Sequence, residues 1–342
     1  MDLNILTLLI SILFIPLFLF NIFLLIYFIQ NIKILKKDLV KKTSNSSESD
    51  SIDKKAEYYS LLEKSLIDSL KISNHRILKT LYDPHLTNNN NDITIIIPWK
   101  DIGVDRIENS LKSILNQDYS HSLIRTLVID YGSKKNIEKI KDLCKQNNAE
   151  YIRVDGVKFW NRSHALNIGI KKSKSKYILA TDIDIIFEKN YLSSCVRELK
   201  ENPFQLVYVD MFDCSNDISL KYPDKIKDYY KIKIRSKKRV NPGILHGSSI
   251  CFTLRDFFYM INGYDEEYKI WGYEDFDLLQ RFGQVGIIPK NISNKTSHIH
   301  QFHPPKEGVS DLKEKDIQIN KNRDIFHFKY TYERNLQGWG KG

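Results

Sequence analysis

Residues 177–184 read Tyr-Ile-Leu-Ala-Thr-Asp-Ile-Asp, an apolar, β-prone run that ends in two carboxylates. The run predicts a strand, Tyr177–Thr181, that leads directly into Asp182 and Asp184. Two carboxylates so close together at the end of a buried strand repel each other unless a cation lies beside them. Mg²⁺ and Mn²⁺ prefer such oxygen ligands. The stretch therefore predicts a metal site, and a pair of solvated turn aspartates is the alternative that this motif alone leaves open.

Strand and helix patterns alternate before this stretch. The predicted strands are Ile93–Pro98, Leu123–Asp130 and Tyr151–Val154, and the predicted helices are Ile107–Asn116, Asn136–Gln146 and Ser163–Lys172. Such alternation predicts an α/β fold with a mainly parallel sheet and helices on both faces. Ligands bind beyond the carboxyl ends of the strands in such sheets. Pro98, Asp130 and Asp182 fall at three predicted strand ends, so we expect them to border one binding site.

The loop after the second predicted strand reads Asp130-Tyr-Gly-Ser133. A carboxylate at this position would accept a hydrogen bond from the imide N–H of a uracil. The glycine would let the backbone approach a nucleotide closely. An ordinary glycine-containing loop is the alternative.

A second acidic cluster, residues 271–277, reads Trp-Gly-Tyr-Glu-Asp-Phe-Asp. A carboxylate beside a Trp-Gly loop predicts a general base that takes the proton of an attacking hydroxyl. The alternative is simple negative charge at a helix N-terminus, where acidic side chains are stabilising.

Three histidines follow within six residues: His298, His300 and His303. A strand would place His298 and His300 on one side. Neutral imidazole suits Mn²⁺ as a ligand beside carboxylates. The cluster predicts a histidine ligand, and the spacing leaves open which histidine it is.

The 342-residue chain carries a formal net charge of +10, and much of its lysine excess falls in residues 33–55 and 225–239. Patchy basic charge suits a nucleotide sugar, an anionic membrane or a nucleic acid. No nucleic-acid-binding motif is present, so a nucleic-acid partner is not expected. The four cysteines form no CxxC pair, which favours reduced core thiols over a zinc site or a disulfide framework.

Residues 5–29 are almost entirely apolar, and about 20 such residues suffice for a helix to cross a bilayer. A cleaved signal peptide would start with basic residues and end in a small-residue cleavage site, and this stretch has neither. Lysines follow the segment and none precedes it. The positive-inside rule therefore predicts a single-pass anchor with the remainder of the chain in the cytoplasm.

Four regions are predicted along the chain. Residues 5–29 form the anchor, and residues 30–91 form a basic, Ser- and Asn-rich linker with a stem helix at Ala56–Leu81. Residues 92–304 form the folded domain, and residues 305–342 form a C-terminal extension.

The order of these motifs resembles that of a known family. Residues 95–98, 128–133, 161–169 and 182–184 read Ile-Ile-Ile-Pro, Val-Ile-Asp-Tyr-Gly-Ser, Asn-Arg-Ser-His-Ala-Leu-Asn-Ile-Gly and Asp-Ile-Asp. They resemble the family 2 glycosyltransferases of the GT-A fold. Asn262-Gly-Tyr-Asp265 and the 271–277 cluster are similar to the catalytic domains of β-1,4-galactosyltransferases and chondroitin polymerases. The resemblance extends from about Asp92 to His303.

The resemblance implies a donor site built from five residues. Pro98 would flank a uracil pocket, with Asp130 on the base. Arg162 would hold the nucleotide or its phosphates, which suits a guanidinium fork. Asp182 would contact the ribose or a metal-bound water, and Asp184 would ligate the metal.

The resemblance also implies the acceptor side. Trp271 would cover the sugars, Glu274 would hold donor or acceptor hydroxyls, and Asp275 would be the base. A metal-binding histidine is expected after the acidic loop, where His300 and His303 fit best. The chain departs from the family pattern at Tyr273, where glycine is usual, and at Tyr131, where many members carry a second aspartate. These departures leave the donor sugar open.

Together these features predict a membrane-anchored, inverting glycosyltransferase that uses Mn²⁺ or Mg²⁺. It would move a hexose or N-acetylhexosamine from a UDP-sugar to a glycan or lipid-linked glycan. A retaining N-acetylgalactosaminyl transferase and an inactive carbohydrate-binding or scaffolding member are the alternatives.

Overall fold

A computed structural model describes residues 92–215, 226–239, 248–304, 312–329 and 331–341. The predicted anchor, linker and stem helix lie outside these residues. Within the described ranges, no helix combines the length and apolar character needed to span a membrane.

The amino-terminal part of the domain alternates strands and helices in the predicted order. Its elements are β1 (Ile93–Trp99), α1 (Val104–Leu115), β2 (Ile124–Tyr131), α2 (Ile137–Gln146), β3 (Ala149–Val154), α3 (Arg162–Lys172) and β4 (Tyr177–Ala180). In α1, Ile107, Leu111 and Ile114 recur at helical spacing, and all three are buried. Every predicted strand and helix in this part is confirmed, with boundaries that differ by a few residues.

The carboxyl-terminal part is less regular. Its elements are β5 (Ile185–Phe187), α4 (Tyr191–Glu201), β6 (Gln205–Tyr208), β7 (Met211–Asp213), α5 (Ile226–Arg235), β8 (Lys237–Lys238), β9 (Cys251–Leu254), α6 (Arg255–Met260), α7 (Glu274–Gln284), β10 (Ile288–Asn291), β11 (His298–His300) and α8 (Leu312–Phe328).

The larger sheet has seven strands in the order β10-β6-β9-β4-β1-β2-β3. Strands β4, β1, β2 and β3 are mutually parallel, as predicted for this part. Strand β9 runs antiparallel to both β4 and β6, so the sheet is mixed. The fold is therefore α/β as predicted. The short buried run Cys251–Leu254 carries no sequence signal for its direction.

The smaller sheet has the strand order β5-β11-β7-β8. Its central strand, β11, pairs antiparallel with β5 and parallel with β7. In this register His300 lies opposite both Ile185 and Asp213. The sheet thus brings a histidine from late in the chain next to the Asp182–Asp184 turn.

The core is built on β1, whose seven residues are all buried. Helix α3 approaches this strand so closely that a Cβ atom on Gly169 would lie 2.4 Å from Ile96 Cγ2. The four cysteines are buried and free, which confirms the prediction of core thiols.

Described residues within 312–341 pack on the same folded unit. Trp339 is buried against Tyr259, with ring centroids 5.0 Å apart. The Gly340 amide donates to Glu266 Oε1 at 2.7 Å. Arg334 is also buried, and its Nη2 donates to Asp277 Oδ1 at 3.1 Å. Asp277 belongs to the first turn of α7, so the end of the chain contacts the helix that carries the second acidic cluster.

Candidate active site

One carboxylate and two histidines form a compact cluster beyond the end of β4. The candidate ligand atoms of Asp184, His300 and His303 all lie within 4.8 Å of one another. The Nε2 atoms of both histidines are 3.5 Å from Asp184 Oδ2. Asp184 Oδ1 is buried and has no hydrogen-bond partner within the described part of the chain. One buried carboxylate oxygen is therefore left over, as expected of a group that binds a cation.

A second carboxylate orients His300. Its Nδ1 lies 3.0 Å from Asp213 Oδ1, and Arg239 Nε donates to the other oxygen of Asp213 at 2.8 Å. A histidine that ligates a metal commonly donates its second ring N–H to a carboxylate. The contact leaves His300 Nε2 facing Asp184. The cluster therefore fits a divalent cation such as Mn²⁺ in both its donor set and its support.

The electrostatics of this cluster are set by opposite charges. Burial acts to raise the pKa of Asp184, but His300 and His303 outweigh it and lower the pKa. Burial acts to lower the pKa of His300, but Asp184 and Asp213 raise it to about 9. The carboxylate is therefore held in its charged form, ready for a cation.

His298 does not belong to the cluster. Its side chain is fully buried, and its ring lies near Phe187 and Tyr191, with centroids 6.3 and 6.0 Å away. Burial is the main cause that lowers the pKa of His298 to about 3. Of the three histidines left open by the sequence, the structure brings His300 and His303 to Asp184.

A single guanidinium joins the two acidic motifs. Arg162 is the first residue of α3. Its Nε donates to Asp182 Oδ1 at 2.7 Å, and its Nη1 donates to Asp275 Oδ1 at 2.9 Å. Its Nη2 donates to the Ser249 carbonyl at 3.0 Å. The planar fork thus brings the end of β4 and the start of α7 to one place.

Glu274 and Asp275 open helix α7, and Tyr273 at its N-cap has φ 74°. Burial and the neighbouring Asp275 carboxylate raise the pKa of Glu274. Burial also raises the pKa of Asp275, although Arg162 opposes this. Glu274 is buried, whereas the Asp275 side chain is 26% exposed. Asp275 is therefore the more accessible of the two carboxyl groups.

Asp130 is already engaged by the protein. Its side chain is fully buried, and its Oδ1 accepts from the Ser133 amide at 2.8 Å. Its Oδ2 accepts from Arg153 Nη1 at 2.6 Å and from the Tyr151 hydroxyl. Because the side chain is fully buried, a uracil N–H would reach this carboxylate only if a covering group moved away. Pro98, also buried, lies in the next strand opposite Ile129.

Trp271 lies at the open side of the site. Its side chain is 60% exposed, and Lys315 Nζ lies 4.7 Å from the ring centroid. The adjacent Gly272 has φ 98°, with no atom within 4 Å of the position a Cβ would take. More than half of Trp271 is thus accessible to a ligand, beside its contact with Lys315.

Three residues that support the site, Asp213, Arg239 and Asn322, were not predicted from the sequence. Asp213 follows a β-prone run much as Asp182 does, and this pattern was the available signal for it. Arg239 and Asn322 had none, because their partners lie far away in the sequence.

The strand-end site on this α/β domain combines a candidate cation-binding cluster with two neighbouring carboxyl groups whose pKa values are raised. The chain matches the glycosyltransferase like family 2 over residues 94–339. It belongs to that family.

Curated relatives cover only part of the chain. An uncharacterised glycosyltransferase of Rickettsia bellii is 32% identical over 112 residues, which are 33% of this chain and 16% of that protein. The human chondroitin sulfate N-acetylgalactosaminyltransferase 2 is 26% identical over 169 residues, which are 47% of this chain and 31% of that protein. The aligned region thus spans less than a third of the length of each of these relatives.

Solved structures show a distant likeness. The S. aureus TarS 1–349 structure in complex with UDP has a TM-score of 0.47 at 15% identity, covering 70% of this chain and 72% of that one. The structure of GalNAc-T7 with UDP, GalNAc and Mn²⁺ has a TM-score of 0.47 at 17% identity, covering 69% and 50%. Neither overlap is high enough to transfer a role to this chain.

Proposed function

We propose that the protein is a membrane-anchored, inverting glycosyltransferase. It moves an N-acetylhexosamine or hexose from a UDP-sugar to a hydroxyl of a glycan or lipid-linked glycan. The observation that carries this proposal is the Arg162 guanidinium, which hydrogen-bonds to both Asp182 and Asp275. It places a candidate base beside the strand end that also carries the candidate metal ligand, Asp184.

Asp184, His300 and His303 would hold Mn²⁺ or Mg²⁺. A divalent cation at this position stabilises the negative charge that develops on a leaving diphosphate. Asp213 supports the set through His300 Nδ1. The unpartnered Asp184 Oδ1 supports the proposal directly.

Asp275 would act as the base. The acceptor hydroxyl oxygen forms a bond to the anomeric carbon while the bond from that carbon to UDP breaks. The electron pair leaves with the diphosphate oxygen, and the hydroxyl proton passes to the Asp275 carboxylate. A single displacement inverts the anomeric configuration. Asp275 is preferred over Glu274 because it is the more exposed of the two.

Glu274 would bind sugar hydroxyls from behind the base. Burial and Asp275 raise its pKa, so the side chain retains a proton more readily than an exposed glutamate. A protonated carboxyl both donates and accepts hydrogen bonds, which suits a sugar hydroxyl. Arg162 would orient Asp275 and Asp182 together and contribute positive charge near the diphosphate.

The choice of donor and the location rest on different observations. The human relative is named for N-acetylgalactosamine transfer, which supports an N-acetylhexosamine as the donor sugar.

The apolar residues 5–29, followed by lysines, support a single-pass anchor with a cytoplasmic catalytic domain. Protease added to intact cells should then spare the residues after Ile29, and digestion of the domain would reverse this topology.

The full-length chain in detergent tests the activity. UDP release is measured with UDP-GalNAc, UDP-GlcNAc, UDP-galactose and UDP-glucose, with Mn²⁺ or EDTA and with a panel of glycan acceptors. We expect acceptor-dependent release that EDTA abolishes, and an inverted anomeric centre in the product by NMR. A product that keeps the donor configuration would favour the retaining alternative. UDP binding without turnover on any acceptor would favour the inactive one.

A further inference from the structure

The loop that precedes the two acids has an unusual backbone. Ile270, Gly272 and Tyr273 have φ values of 62°, 98° and 74°. A left-handed conformation is uncommon for residues other than glycine, and for a β-branched residue such as Ile270 it is a genuine outlier. Strained backbone of this kind persists only where its surroundings hold it. The 269–273 loop therefore depends on contacts from outside itself.

One face of helix α8 supplies these contacts. The face consists of Lys315, Gln318, Asn322 and Phe326, spaced by three, four and four residues, which places them on one side of a helix. Lys315 Nζ lies over the Trp271 ring at 4.7 Å. The Phe326 ring lies 5.7 Å from that of Tyr273. The face thus follows the loop from end to end.

Asn322 is the centre of this face. It is fully buried, and its Nδ2 lies 2.9 Å from the Lys269 carbonyl oxygen and 3.1 Å from those of Trp271 and Gly272. Gln318 Nε2 donates to Asn322 Oδ1 at 2.8 Å, which fixes the orientation of the amide. One side-chain amide therefore binds three carbonyl groups of a loop that carries strained backbone.

We propose that Asn322 is a positioning residue, which holds the 269–273 loop so that Trp271 and Asp275 face the donor site. Helix α7 begins at the end of this loop, so a shift of the loop changes where Asp275 meets Arg162. The catalytic part of this inference rests on the proposed glycosyltransferase function. The loop-holding part rests on the hydrogen bonds alone.

Asn322→Asp tests the role with little change in size. The carboxylate still accepts from Gln318, but it has no donor and repels the three carbonyl oxygens. Asn335→Asp is the matched control, because Asn335 Nδ2 donates to the carbonyls of Asn262 and Tyr264 at 2.8 and 2.7 Å. Its Oδ1 accepts from the Glu266 amide at 3.1 Å, and aspartate keeps this contact.

Hydrogen exchange read by mass spectrometry reports the loop without any need for activity. In Asn322→Asp, peptides that cover residues 269–276 should exchange about tenfold faster or more, because local opening becomes easier. In Asn335→Asp the acceleration should fall on residues 262–266 instead. Gln318→Glu, which removes the donor to Asn322, should give a smaller change at 269–276 and serves if Asn322→Asp does not fold. Unchanged exchange at 269–276 in both Asn322→Asp and Gln318→Glu would overturn the proposal.

Kinetics then separate positioning from stability. We expect kcat with the active UDP-sugar to fall roughly ten- to hundredfold in Asn322→Asp, because a small misplacement of a reacting group is costly. Calorimetric affinity for UDP with Mn²⁺ should stay within about threefold, and Asn335→Asp should keep kcat within about threefold. Equal losses of kcat in both variants would reduce Asn322 to a stability role. A wild-type chain that turns over no UDP-sugar would overturn the proposed function, while the exchange result would still decide whether Asn322 holds the loop.

Discussion

The two carboxylate clusters of the site are a few side chains apart, yet their electrostatics are opposite. At Asp184, two histidines outweigh burial and lower the pKa. At Glu274 and Asp275, burial dominates and raises the pKa of both, although Arg162 opposes it. A carboxylate that stays charged suits a cation, whereas a carboxyl with a raised pKa suits proton transfer. The difference indicates two roles for one residue type, set by the neighbouring side chains.

Substitution of Asp275 should have the largest effect. In Asp275→Asn the side chain keeps its size and its contact with Arg162 but cannot take a proton. We expect kcat to fall by roughly 10²–10⁴, the usual range for loss of a general base. Calorimetric affinity for UDP with Mn²⁺ should change little.

Glu274→Gln is the control for this prediction. It should weaken sugar binding more than it slows proton transfer, so the donor KM should rise more than kcat falls. If Asp275→Asn keeps turnover within about threefold of wild type, the base is Glu274 instead.

Asp184→Ala should remove the candidate metal site, whose carboxylate has a lowered pKa. We expect metal-dependent binding of UDP or a UDP-sugar to be lost, because His300 and His303 alone leave the cation without a charged ligand. Circular dichroism should show an intact fold, since Asp184 Oδ2 faces two partly exposed histidines and Asp184 Oδ1 makes no hydrogen bond to another described residue. Unchanged Mn²⁺-dependent affinity in calorimetry would reject the metal site.

A smaller effect is expected one contact further out, at Asp213. In Asp213→Asn the carboxylate that faces His300 Nδ1 becomes a neutral amide. Loss of such a partner typically costs about 10–100-fold in metal affinity, and we expect Mn²⁺ affinity to fall in this range. Asp210→Asn is the matched control, because Asp210 contacts Lys238 and Asn291 rather than a histidine of the cluster. Equal losses in both variants would mean that the effect is not specific to His300.

The sequence indicated both carboxylate clusters, but not the opposite pKa shifts that distinguish them. Local periodicity predicted β1 to β4, because buried parallel strands and amphipathic helices leave a pattern within a few residues. The acidic residues after those strands could therefore be identified from the sequence. The directions of the pKa shifts could not be predicted from the sequence, because they depend on burial and on partners such as Arg162. Arg162 lies 113 residues from Asp275 along the chain.

The same limit applies to the supporting residues. Three histidines within six residues predicted a ligand, but only tertiary structure shows that His298 lies among aromatic rings while His300 faces Asp184. Asn322 gave no signal, since an asparagine within a polar helix normally faces solvent. The direction of β9 was likewise decided by tertiary pairing rather than by its four apolar residues.

The smallest expected effect is on stability, and it follows from the raised pKa of Glu274. The unfolded chain releases this proton near the ordinary glutamate pKa of about 4.3, whereas the folded protein retains it to higher pH. Over that interval the folded state binds more protons than the unfolded state, so the free energy of unfolding decreases as pH rises. Glu274→Gln removes the titrating group. Its Tm should therefore fall less than that of wild type when the pH is raised from about 4 to 8. The difference should be a few degrees, because 1 kcal/mol shifts the Tm of a domain of this size by about 2–4 °C.

Differential scanning calorimetry at matched ionic strength measures this difference in Tm, and Asp184→Asn provides the opposite case. Asp184 has a lowered pKa, so its stabilising contribution is present above the ordinary aspartate pKa and is lost as pH falls through the folded value. Parallel pH profiles for wild type and Glu274→Gln would show that the two clusters do not differ in the way their surroundings imply.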